Sequence, residues 1–326
     1  MKAVVCRRYG PPEVLSLEDI PKPRPKKNEV LIKVRAATVF AGDCEVRAFK
    51  FPAWSWLPLR IMMGLTKPRW PVLGQELAGE IEAVGANVTT FKPGDKVFAA
   101  LEFGFGAHAE YKCMSARGPI APLPANMSFE EAAGIPVGGV NALHFLERAN
   151  IQPGQRVLIN GAAGSIGSVG VQLAKYYGAE VTAVDSAEKL DVLRTLGADH
   201  VIDYVREDFT KRGEIYDVIF DVVGKSPYGR SLKCLAPRGH YLLANPRLTP
   251  MLRSLWTSAT SDQNVMVAYA GASADTMRQL KELIEAGHIK AIIDKRFALS
   301  EAAEAHRHVE AGHKKGTVVL VIKSKI

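Results

Sequence analysis

Apolar residues in the first third of the chain come in short runs separated by turn-forming positions. Ala3–Cys6, Val30–Ala36 and Leu77–Val84 have the length and composition of strands, and Pro21–Lys27 is an extended connector. Phe91-Lys92-Pro93-Gly94-Asp95 is a turn that feeds a further strand, Lys96–Ala100. This portion reads as a β-rich domain. Near Met127 the texture changes. Ser128-Phe129-Glu130-Glu131 sets a glutamate three positions after a capping serine, the signature of a helix start. From Gln155 onward the pattern alternates. Arg156–Asn160 is a strand, Ser165–Tyr177 a helix closed by Gly178, Glu180–Val184 a strand and Ala187–Leu196 a helix. Strands follow at His200–Asp203, Tyr216–Val223 and Gly239–Ala244. Apolar strands alternating with helices predict an α/β, doubly wound parallel sheet. A strand at Val265–Tyr269, a helix at Ser273–Ala286 and a Val-rich strand within Lys315–Ile326 close the chain.

With 326 residues, 47% of them hydrophobic, the chain has material for two cores, so two domains are expected. The formal net charge is +8. Such a surplus suits nucleic acid, an anionic membrane or an anionic small ligand. Here it is spread over Arg7, Lys22, Lys33, Arg60, Lys96, Lys211 and Arg247 among others, with no long basic block, so no nucleic-acid partner is expected. The four cysteines, Cys6, Cys44, Cys113 and Cys234, show no C-x-x-C spacing, which suggests neither a zinc ribbon nor a disulfide framework. Free thiols, no signal-peptide stretch in MKAVVCRRYG and no run of ~18 apolar residues make a cytoplasmic protein without an integral membrane segment the expectation.

The chemistry is concentrated after Arg156. Asn160-Gly161-Ala162-Ala163-Gly164-Ser165-Ile166-Gly167 follows a strand and opens a helix. Gly164 lets the backbone approach a pyrophosphate, and Gly167 lets the helix pack tightly on the sheet. The helix-start amides and the helix dipole then face the phosphates. Ala162 replaces the first glycine of the G-x-G-x-x-G fingerprint. Asp185 closes the next strand, where an acid bonds the ribose hydroxyls and repels a 2′-phosphate, and so argues for NAD. Ser186, Lys189 and Tyr204 are placed to receive a 2′-phosphate and argue for NADP, although Lys189 also reads as a solvated helix lysine. The choice between NAD and NADP stays open.

Further runs extend this picture across the chain: Gly10-Pro-Pro-Glu-Val-Leu, Gly74-Gln-Glu-Leu-Ala-Gly79, Phe91-Lys-Pro-Gly-Asp-Lys-Val97 and Gly106-Ala-His-Ala-Glu-Tyr111. Leu196-Gly-Ala-Asp-His-Val-Ile-Asp-Tyr204, Asp221-Val-Val-Gly224 and His313-Lys-Lys-Gly316 complete it. With the glycine loop, they resemble the medium-chain dehydrogenase/reductase superfamily, in its zinc-independent quinone oxidoreductase branch, which includes zeta-crystallin. The resemblance implies a GroES-like catalytic domain at 1–124, completed by 266–326, and a Rossmann domain at 125–265. It implies an active cleft between the two and a homodimer joined through Rossmann sheet edges. It adds Val223, Gly224 and Lys315 to the residues expected at the cofactor. Zinc enzymes of the superfamily hold the metal with Cys, His and Cys. Phe40, Gln75 and Gly134 stand at those positions, only Cys113 lies in the structural-zinc region, and Glu76 alone makes no site, so no zinc is expected.

Without a metal, hydride transfer suits an apolar quinone or α,β-unsaturated carbonyl, whose negative charge delocalises and is met by preorganised donors. The resemblance makes Thr38–Arg47 the substrate-side loop. Thr38 and Gln75 are candidates to bond a substrate carbonyl. Phe40 stands where quinone reductases often have Asn. Asp43 and Arg47 match the family and also read as a structural pair, and Cys44 reads as a packed thiol. The segment Phe49–Gly64 reads as a lid over an apolar substrate, plain packing, or a dimer or membrane-surface contact. An enoyl-thioester reductase would want a tyrosine that Thr38–Arg47 lacks, and a non-catalytic nucleotide sensor or another alcohol dehydrogenase-like enzyme completes the alternatives.

Overall fold

The computed structural model describes the chain except for residues 102–103, 246–248, 250, 252, 255–256, 258–260, 269, 313 and 324–326. The expected strand residue Tyr269, His313 of the terminal motif and the last three residues of the tail lie outside the described residues. In chain order the first elements are β1 (Lys2–Cys6), β2 (Leu15–Asp19), β3 (Glu29–Val39), α1 (Ala41–Ala48), α2 (Ala53–Met63), β4 (Glu76–Val84), β5 (Lys96–Ala100), β6 (Tyr111–Ser115) and β7 (Ile120–Pro122). Next come α3 (Phe129–Ala133), α4 (Pro136–Ala149), β8 (Arg156–Asn160), α5 (Ser165–Tyr176), β9 (Glu180–Asp185), α6 (Leu190–Thr195), β10 (His200–Asp203), β11 (Tyr216–Asp221), α7 (Tyr228–Lys233) and β12 (Leu235–Leu243). The described chain ends with β13 (Asn264–Val267), α8 (Ala274–Glu285), β14 (Ile293–Ala298), α9 (Ala302–Glu310) and β15 (Thr317–Val321).

These elements form two compact units, Met1–Val137 with Ala272–Gly287 and Ala291–Ile326, and Gly138–Gly271 with His288–Lys290. In the first, a seven-stranded sheet runs β14-β15-β3-β4-β5-β7, with β6 also paired to β3. Its pairings are antiparallel except for β14 with β15. Val30, Ile32 and Val34 recur every second residue along β3 and meet Leu77, Ile81, Val97, Val318 and Leu320 in one core. The segment 125–137 packs here too. Asn126 donates to the Ile284 carbonyl and Ser128 caps α3 by accepting the Glu131 amide proton, so the texture change at Met127 precedes the end of this unit.

The second unit is a six-stranded parallel sheet in the order β10-β9-β8-β11-β12-β13. Strand order therefore reverses between β8 and β11, and the loops leaving their carboxyl ends flank the crevice where such sheets take ligands.

One reading of the first unit changes, and another gains a shape. Thr38–Arg47 is not a loop: Thr38 and Val39 finish β3, and α1 begins at Ala41, with Asp43 accepting the Phe40 amide proton at 3.1 Å. The segment Phe49–Gly64 contains a helix, α2, turned by Phe49 in left-handed geometry (φ 51°).

Candidate active site

The glycine loop is shaped by close backbone packing. Gly161 has φ +83°, and a Cβ there would lie 2.3 Å from Val223 Cγ2, so the loops after β8 and β11 touch. At Gly167 a Cβ would lie 2.3 Å from the Gly161 carbonyl oxygen and 2.6 Å from Ala162 Cα, which only glycine avoids. Gly164 differs. Its φ is −71°, and a Cβ there would make one tight contact, 3.3 Å to the Gly161 oxygen, so packing does not force glycine there as it does at Gly161 and Gly167. No side chain caps α5, and among the described residues no side chain accepts from the amides of its first turn, Ser165, Ile166 and Gly167.

The loop after β11 is tied down by a residue whose role the sequence pattern did not reveal. Buried Asp221 accepts from Asn160 Nδ2 (2.9 Å), the Gly224 amide (2.9 Å) and the Tyr241 hydroxyl (3.3 Å). Asn160 therefore holds the strand end together and keeps Val223 and Gly224 against Gly161.

At the end of β9, Asp185 is buried and occupied. It accepts from the Ala163 amide at 2.9 Å and the Ser186 amide at 2.9 Å, and it pairs with Lys189 Nζ at 3.1 Å. The two residues that argue for different cofactors are thus an ion pair. The buried Ser186 hydroxyl has no bonding partner among the described residues. Exposed Tyr204 is tied to the group through its amide, which donates to the Asp185 carbonyl at 3.2 Å. Lys315 belongs to the first unit, exposed just before β15.

In the first unit Thr38, Phe40, Asp43 and Gln75 meet where β3 runs into α1 beside the start of β4. Thr38 is buried and donates its hydroxyl proton to Glu76, so that hydroxyl is not free for a substrate carbonyl. Glu76 also accepts the Val137 amide at 2.9 Å. Burial pushes the Glu76 carboxyl up to about 7, against the lowering effect of these bonds and of the Lys314 charge. Burial likewise pushes Asp43 up to about 8, against the Phe40 amide, with the Glu76 charge adding to the rise. Gln75 stands close enough to lower it, yet Asp43 Oδ1 completes no hydrogen bond among the described residues. Phe40 and Gln75 are the partly exposed members, and the Phe40 ring lies over Gly42.

Asp43 and Arg47 are not a pair. The buried Arg47 guanidinium bonds Glu310 on α9 at 2.6 Å and the Gly10 carbonyl at 3.1 Å. Cys44 is a packed thiol, as expected. Its Sγ lies 3.4 Å from His306 Nδ1, and burial raises its pKa well above the usual thiol value. His108 Nε2 bonds the Thr38 carbonyl at 2.8 Å, and burial lowers its pKa to about 4. Gly134, at the last of the three positions matched to zinc ligands, has no room for a side chain. A Cβ there would lie 2.7 Å from Thr317 Cγ2 and 2.8 Å from its Oγ1.

Comparison with known proteins agrees with this architecture. A family described as "Alcohol dehydrogenase GroES-like domain" matches residues 26–125, and one described as "Zinc-binding dehydrogenase" matches residues 196–320. The NADPH-dependent alkenal/one oxidoreductase of Arabidopsis thaliana is 34% identical over 98% of this chain and 79% of its own length. The quinone oxidoreductase of Pseudomonas aeruginosa is 32% identical over 98% of this chain and 99% of its own. The structure of the quinone oxidoreductase from Coxiella burnetii superposes with a TM-score of 0.87 at 30% identity, covering 99% of both chains. The chain belongs to the medium-chain dehydrogenase/reductase superfamily, in its zinc-independent quinone oxidoreductase branch.

Proposed function

We propose that this oxidoreductase uses NADPH to reduce apolar α,β-unsaturated carbonyls or quinones without a catalytic metal. The observation that carries the reading is the glycine loop, where Gly161 and Gly167 are demanded by packing but Gly164 is not. A glycine that the fold does not need, before an uncapped helix start at the sheet's reversal point, fits a pyrophosphate held at backbone distance. The Arabidopsis relative bears both NADPH and alkenal/one reduction in its name.

NADPH is favoured over NADH because Asp185 is neutralised by two amides and Lys189. Lys189 is the donor offered to a 2′-phosphate, and the buried Ser186 hydroxyl would join it only by turning outward. Bound cofactor supplies the hydride. On the substrate side the Gln75 amide is the exposed polar group and is proposed as donor to the developing oxyanion. Asp43 is a positioning residue, because its protonated carboxyl at neutral pH stands beside Gln75 without adding a negative charge. Phe40 presents an apolar surface to a ring or alkene.

A homodimer belongs to the same proposal, with the β13 edges of two copies available for pairing. The cysteines Cys6, Cys44, Cys113 and Cys234 are all free, which supports a reducing, cytoplasmic setting. The test is NADPH oxidation against a panel of quinones and enones. Sustained turnover is expected, and cofactor binding without turnover on any acceptor would leave a nucleotide sensor instead.

A further inference from the structure

The helix α2 is apolar on two faces. Its inner face holds Ser55 and Met63 buried, and Arg60 is stacked over the Tyr9 and Phe49 rings at 4.0 and 4.5 Å. The Tyr9 hydroxyl donates to the Met63 carbonyl at 2.8 Å and clamps the helix end. Trp54, Leu57 and Ile61 recur at helical spacing on the other face, with Met62 and Leu65 beside them. Leu57 is 58% exposed, Ile61 64% and Leu65 62%, which leaves a continuous apolar strip in water. Every charged residue between Glu45 and Glu76 is basic: Arg47, Lys50, Arg60, Lys67 and Arg69. Lys50, Lys67 and Arg69 are exposed, and no carboxylate pairs with them among the described residues.

We propose that α2 and its flanks form an in-plane docking surface for an anionic lipid bilayer. An apolar face sinks into the headgroup–acyl boundary while lysines and arginines around it meet lipid phosphates. At eleven residues the helix is about 16 Å long, too short to span, and no described helix is long and apolar enough to cross a membrane. Charge selects the partner. The exposed Lys50, Lys67 and Arg69 complement anionic lipid headgroups. The inference stands apart from the cofactor reading, because it uses no residue of the cofactor site.

The test is sedimentation of the full chain with vesicles of equal parts phosphatidylglycerol and phosphatidylcholine, against vesicles of phosphatidylcholine alone. Binding is expected to the anionic vesicles, with a blue shift of tryptophan emission and loss on adding salt. Leu57→Ser with Ile61→Ser should weaken it by at least about tenfold. Because both side chains are exposed, the melting temperature should hold, which separates lost docking from lost fold. Failure of wild type to sediment with anionic vesicles, or equal sedimentation of the double variant, would overturn the proposal. So would a dimer in light scattering that the double variant converts to monomer, because α2 would then be covered by a second copy.

Discussion

Replacing Gly164 by alanine separates what the fold needs from what the cofactor needs. At φ −71° and ψ 169° alanine carries no backbone strain, and its methyl would make one tight contact, 3.3 Å to the Gly161 oxygen, which must yield by a few tenths of an ångström. A glycine-to-alanine change at such a position stabilises by about 0.4–1 kcal/mol through the unfolded chain, so the melting temperature should hold or rise slightly. A pyrophosphate resting on that backbone would meet the methyl. Overpacking of this kind costs about 1–3 kcal/mol, which is roughly a 5- to 150-fold rise in the NADPH dissociation constant. Gly167→Ala is the contrasting control. Its methyl would fall 2.3 Å from one backbone atom and 2.6 Å from another, so that variant should lose stability outright. Isothermal titration with NADPH and thermal melts of both variants supply the comparison. If Gly164→Ala binds NADPH as tightly as wild type, the pyrophosphate does not lie on this loop.

Three further perturbations probe the other parts of the site. Lys189→Ala should weaken NADPH by about 1.5–3 kcal/mol and leave NADH nearly unchanged, whereas Asp185→Asn, which keeps an acceptor for the Ala163 amide, should bind NADPH as well or better. An unchanged NADPH/NADH affinity ratio in both variants would remove these residues from the 2′ position. Gln75→Ala should lower kcat/KM roughly 10²- to 10³-fold with little change in melting temperature, and a variant as active as wild type would leave the oxyanion without its assigned donor. Glu76 ionises near 4.5 when unfolded and near 7 in the fold, so the native chain holds the extra proton and loses stability as pH rises through that window. At about 1.4 kcal/mol per pH unit the loss is roughly 3 kcal/mol, and Glu76→Gln, which copies the neutral carboxyl, should escape this share while keeping the loss that Asp43 contributes by burial. His108, whose pKa is lowered, contributes with the opposite sign in both proteins, so it cancels in the difference. Parallel stability–pH curves for the two would refute the buried-carboxyl reading.

Legibility in the sequence followed the range of the forces involved. The strand Arg156–Asn160 and the helix from Ser165 were readable to within a residue, because apolar runs bounded by glycine are local signals. The capped start at Ser128 was readable for the same reason, and the helix expected from Ser273 begins one residue later, with Ser273 as its cap. Helix α2 was not, because Trp, Pro, Ile and Met give it no polar face from which to read a period. Strand β14, Ile-Asp-Lys-Arg-Phe-Ala, is mostly exposed and carries no apolar alternation. At the junction of β3 and α1 the residue types were legible but their bonds were not. Nothing local tells that Arg47 answers to Glu310, 263 residues on, or that Asp185 supports the Ala163 amide. Those partners are chosen by the sheet and helix packing that brings distant segments together.

Hydride transfer to carbon is read from the fate of a label. NADPH carrying deuterium at the transferring C4 position would be turned over with an α,β-unsaturated ketone, and the product read by NMR. The expected product is a saturated ketone with deuterium at the β-carbon and the carbonyl intact. Deuterium on the carbonyl carbon of an allylic alcohol, or no deuterium in any product, would contradict it.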